Sequence, residues 1–112
     1  MPEKLYKPLL TDSIKVTVNV DKQRFIGFDG NYCNSNAKAL GISDVEVEAG
    51  QFAPVGVIGI LLVKTAGAIA RGARVASDSN GFAVNYNNGE INGYALDAST
   101  AAGDIIRIAR GI

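Results

Sequence analysis

The run VGVIGILLV, Val55 to Val63, is bounded by Pro54 and Lys64 and carries no charge. Extended back to Gln51, the uncharged stretch is still shorter than the roughly 17 to 25 residues that cross a bilayer as a helix. Val55, Val57, Ile58, Ile60 and Val63 are β-branched, and Gly56 and Gly59 interrupt them. Both features disfavour a helix, because branched side chains crowd the preceding turn and glycine loses the most backbone freedom. The run predicts a strand buried on both faces at the centre of a core.

The rest of the chain repeats short blocks of this kind between turn residues, so the expected class is mainly β. Ile14, Val16, Val18 and Val20 alternate with Lys15, Thr17 and Asn19, which predicts an amphipathic strand. RFIGFDG (Arg24 to Gly30) reads as a second strand ending in an Asp-Gly turn, followed by a polar loop from Asn31. A short helical or turn segment is expected at Ala66 to Arg71, with strands at Ala73 to Ala76, Phe82 to Tyr86 and through DIIRIAR. Ile106 and Ile108 share one face of that last strand, and Ile105, Arg107 and Ala109 the other. ARGARV and AAGDII (Ala70 to Val75, Ala101 to Ile106) share a small-residue turn with a glycine before a strand, and EAGQFAPV is a looser relative.

Residues 1–13 read differently. Pro2 and Pro8 remove two backbone donors, and Leu5, Tyr6, Leu9 and Leu10 follow no regular period, so this stretch is expected to be an extended arm before a single β-rich domain at 14–112. Interleaved with Lys4 and Lys7, these apolar residues suit a strand added to another chain's sheet edge. Lys4, Leu5, Tyr6, Lys7, Pro8, Leu9 and Leu10 are therefore the candidate contact residues, and Ile14, Val16, Val18 and Val20 the strand that carries them.

The chain has 112 residues, with 11 Lys+Arg balancing 11 Asp+Glu. No net field draws it to nucleic acid or an anionic membrane, and neither is expected as a partner. It has no histidine and one cysteine, Cys33. The usual general base and the usual soft-metal ligands are thus missing, an intrachain disulfide is excluded, and no metal or cofactor is expected. Met1 to Leu10 lacks the apolar region of a signal peptide, so synthesis in the cytoplasm is expected.

Other residues are weaker candidates for chemistry. Gly103-Asp104 lacks the lysine and second glycine of a phosphate loop, and Asp104 would repel a phosphate, so a structural turn is expected there. Cys33 has no histidine to activate it and reads as an inert thiol. Asp44, Glu46 and Glu48 lack the ligand order of a calcium loop. Tyr32, Tyr86 and Tyr94 support an alternative reading, a small β-barrel module binding carbohydrate or protein.

From about Gly41 to Arg110, VKTAGAIARGARVASDSNGFAV followed by INGYALDASTAAGDIIRIAR resembles the small capsid cement or decoration proteins of tailed bacteriophages, including lambda-type head decoration proteins. The resemblance implies a compact β-barrel or β-tulip-like domain with short helical turns and an extended N-terminal arm. It also implies a nonenzymatic protein on the outer surface of the virion capsid, with the major capsid protein as partner, and often a homotrimer. The implied function is to clamp neighbouring capsid subunits of the expanded head.

Overall fold

A computed structural model describes residues 6–112, and among them are strands, bends and turns but no helix. The strands are β1 (Lys7–Lys15), β2 (Phe25–Ile26), β3 (Gly41–Ser43), β4 (Phe52–Lys64), β5 (Arg74–Ser77), β6 (Ala83–Asn85), β7 (Gly93–Ala95) and β8 (Ile105–Arg110). They form one sheet in the order β2-β3-β4-β8-β7-β5-β6, with β1 paired to β4 off that path. A parallel bridge from Thr65 to Ala83 brings β6 back beside the end of β4, so the second half of the chain curls into a nearly closed β-barrel.

β4 organises the rest, as its apolar run predicts. Gly56 pairs with both Thr11 and Ile42, and Gly59 with both Pro8 and Arg110. Hence β1 occupies one edge of β4, while β3 and β8 share the other edge end to end. Ala53, Val55 and Val57 pack into one apolar cluster, with Val16, Val20 and Ile26. Leu61 and Val63 pack into a second, with Phe25, Ile42, Ile106 and Ile108. Residues of the same parity thus face opposite cores, because the β1–β4 register slips around Leu10, which pairs with Ile58 while Thr11 pairs with Gly56. Such a bulge resets the two-residue alternation. Gly59 makes the slip possible: at φ 126 a Cβ there would lie 2.5 Å from Lys7 O and 2.7 Å from Leu9 N.

Where β8 ends and β3 begins, the barrel is stapled by a cation. The inward face of β8 continues from Ile106 and Ile108 to Arg110, which is 4% exposed. Its Nη1 donates to Leu40 O (2.8 Å) and Val57 O (2.9 Å), and its Nη2 to Ala39 O. Burial lowers its pKa to about 10, so the guanidinium stays charged at neutral pH.

The strand expected from Ile14 to Val20 is divided. Its burial alternates as expected, with Val16 and Val20 buried and Ile14 and Val18 half-buried. The ladder, however, ends at Lys15: Val16 N donates to Gln51 O, Thr17 N to Gly30 O, and Val20 bridges Val47. Partners divided between Gly30 and residues 47–51 give no continuous strand. In the other direction the ladder reaches back to Lys7, inside the stretch read as an arm, because main-chain pairing with β4 needs no apolar alternation. Lys4 and Leu5 lie outside the described residues.

Of the helical or turn segment expected at Ala66 to Arg71, the structure has the turn form, a bend and a turn about an antiparallel bridge between Ile69 and Ser99. One turn is too short to nucleate a helix against such pairing. The internal echo is structural: Gly50, Gly72 and Gly103 adopt φ 89, 85 and 91 just before β4, β5 and β8. Gly72 N donates to Ala95 O and Gly103 N to Thr65 O, so the second and third copies interlock reciprocally.

Candidate functional site

β1 is a strand with almost no inside. Pro8 and Ile14 are half-buried and the other residues of Lys7–Lys15 are exposed. Its ladder partner among the described residues is β4 alone, so one edge presents unpaired backbone donors and acceptors. Leu9, pushed out by the bulge, is 82% exposed, and Leu10 beside it is also open. Phe52, opposite Lys15 at the far end of the ladder, is exposed as well. A free edge with apolar side chains on it is a template for another chain. Pro8, the bulge, Lys7, Asp12 and Lys15 are the kinds of feature that blunt indiscriminate pairing along such an edge.

A side-chain bond ties the entry of β1 to the body. Tyr6 Oη donates to Asp44 Oδ1 at 2.6 Å, and burial together with this carboxylate pushes the phenol well above its ordinary pKa. Tyr6, Asp44, Gln23 and Leu62 line a cavity of about 220 Å³. Gln23 sits there at φ 62 with its Oε1 buried and, among the described residues, without a hydrogen-bond partner.

Tyr6, Lys7, Pro8, Leu9, Leu10 and Ile14 therefore lie together along one edge, whereas Val16 and Val20 belong to the core and Val18 packs against it. The other candidates are dispersed. Asp104 Oδ2 accepts from Thr100 N (3.0 Å) and Ala101 N (3.2 Å), which hold its carboxyl below the usual carboxylate range and close the turn at Gly103. Cys33 is fully buried, burial pushes its thiol up, and its Sγ donates to Ala37 O at 3.3 Å. Glu46 and Glu48 border an open cavity of about 600 Å³ with Asp21, Arg24 and Tyr32. Among the described residues no three His, Cys, Asp or Glu side chains converge as a metal site.

The three tyrosines divide. Arg24 stacks on Tyr32 at 4.5 Å on one side of the molecule, whereas Tyr86 and Tyr94 line a separate groove with Arg74. Sequence reasoning missed the exposure of Phe52, which lies within the uncharged stretch from Gln51 but ahead of the buried strand expected from Val55. It also missed Arg110, although the alternation through Ile106 and Ile108 points to it.

A family model described as phage cement protein matches residues 7–110, which begins at the first residue of β1 and ends at the last of β8. No curated protein matches the chain. Among solved structures, the crystal structure of the head fiber gp8.5 N base in bacteriophage phi29 is similar, with a TM-score of 0.76 at 16% identity, over 91% of this chain and 93% of that one. At that identity the likeness is one of fold.

Proposed function

Because the chain belongs to the phage cement protein family, and is thus a structural protein of the phage head, we propose that it binds the outer surface of the expanded capsid and clamps neighbouring major capsid protein subunits. The observation that carries this reading is β1, a strand exposed on both faces and along one edge, whose pairing groups and apolar side chains await a partner. A capsid segment laid along that edge gains main-chain bonds for affinity, while Leu9, Leu10 and Phe52 supply side-chain contacts that set the register.

The mechanism is linkage. A protein that binds the assembled shell and not its separated subunits stabilises the shell by mass action, and many copies multiply a modest affinity. A homotrimer fits local threefold positions, since its symmetry brings each β1 to an equivalent subunit. Tyr6 holds the entry of β1 in place through Asp44, so the edge is presented in one orientation.

Co-sedimentation with expanded heads lacking the protein tests this. Saturable binding at a simple ratio to capsid subunits, with heads that then survive heating better, is the expected result. A protein deleted for Met1 to Leu10 should stay folded and fail to bind. No binding by the intact protein, or full retention after the deletion, overturns the proposal.

A further inference from the structure

β5, β6 and β7 lie beyond β8 from β4 in the strand order, and none of them pairs with β1. A groove of about 490 Å³ runs there, lined by Gly72, Ala73, Arg74, Asn85, Tyr86 and Tyr94. Its walls are planar. Arg74 and Tyr94 are cross-strand partners on β5 and β7, and Tyr94 is 50% exposed. Tyr86 N donates to Arg74 O (3.0 Å), and the Arg74 guanidinium lies 4.7 Å over the Tyr86 ring. Two small residues form part of the lining, since at Gly72 a Cβ would meet only open space.

The guanidinium is held but not used. Among the described residues no carboxylate pairs with Arg74 and no acceptor takes its N–H groups, whereas Arg24, Lys38, Lys64 and Arg107 each have an acidic partner. Stacking on Tyr86 orients a fork whose geometry matches a carboxylate or phosphate. Asn85 Nδ2 donates to Ala68 O (3.0 Å), which leaves Oδ1 as an acceptor for a hydroxyl. The Tyr94 ring offers a flat apolar face beside these polar groups.

From this combination we propose that the groove binds a saccharide bearing a carboxylate or phosphate group: the C–H face of the sugar ring rests on Tyr94, hydroxyls meet Asn85, and the acid enters the Arg74 fork. A nucleic acid fits less well, since tracking its backbone takes several cations and the chain is neutral overall.

The test is titration of the purified protein with an oligogalacturonate, a phosphorylated mannose oligosaccharide, a neutral maltohexaose and a single-stranded oligonucleotide. At least one of the two acidic saccharides should bind, in preference to maltohexaose, and the stronger of them identifies the acid. Tyr94→Ala and Arg74→Gln should each weaken binding by about tenfold or more, with unchanged melting temperature, while Tyr94→Phe retains it. No binding of either acidic saccharide, binding indifferent to both substitutions, or preference for the oligonucleotide overturns the inference. Because the assay uses no heads, none of these results bears on capsid binding.

Discussion

Ile69 and Ser99 exchange both of their backbone hydrogen bonds, 3.0 Å from Ile69 N to Ser99 O and 2.8 Å in return. On one side of this pair Thr65 meets Gly103 and Asp104, and on the other Ala95 meets Gly72 and Ala73, so two glycine-turn copies face each other about a local twofold axis. Ser99 Oγ lies 2.8 Å from the equally buried Thr65 Oγ1 and donates to Gly67 O, which is half-buried, at 2.9 Å. Ser99→Ala removes both contacts, while Thr65 Oγ1 keeps Ala101 O as an acceptor at 3.2 Å, and the loss of two hydrogen bonds should lower stability by about 1–3 kcal/mol. Thermal denaturation should show a midpoint lower by about 4 °C or more for each kcal/mol lost.

Leu9 stands at the bulge with most of its surface open. Leu9→Asp should therefore leave the unfolding free energy within about 0.5 kcal/mol of the parent, as expected for an exposed position. Under the proposed binding mode its effect should fall on head binding instead, since a charge there would have to be desolvated against a capsid segment. Denaturant melts and co-sedimentation measured on the same preparation separate the two.

Arg110 satisfies carbonyls from two stretches of chain, Ala39 and Leu40 on one side and Val57 on the other. Arg110→Met fills comparable volume but strands those acceptors, and should cost about 2–5 kcal/mol. Arg110→Lys should recover little of the loss, because an ammonium lacks the planar fork that reaches them together. Urea unfolding of the three proteins gives the comparison.

Asp104 has its folded pKa depressed, first by the Thr100 N–H and then by the Ala101 N–H. A carboxylate of this kind contributes stability that is present above its unfolded pKa near 3.8 and is lost as pH falls through the lower folded value. Asp104→Asn does not titrate, so the parent should be the more stable of the two at pH 7 and lose that advantage toward pH 2. Chemical denaturation at both pH values measures it. An advantage that persists at acid pH would contradict this origin.

Much of the interior was legible in the sequence and little of the edge was. The run from Val55 to Val63 announces a central strand because burial on both faces leaves no polar alternation, and Ile106 and Ile108 mark an inward face by period two. The same rule reads burial rather than pairing: Val16 and Val20 are inside, as their spacing says, yet no ladder joins them. β1 was hidden for the complementary reason, since a strand exposed on both faces has no apolar period and its partner lies far along the chain. Gly59, a glycine within a strand, was the available sign that another backbone comes close there. Arg110 went unread because arginine is so seldom buried without a carboxylate that the pattern was not extended to it.

β1 and β4 run antiparallel from the pair Lys7 and Ile60 to the pair Lys15 and Phe52. Tension applied lengthwise to β1 loads the bonds of this ladder side by side, and they must yield together; tension across the strand would open them one after another. A partner that grips β1 and pulls along its length therefore loads the domain in shear, the direction in which this ladder resists most.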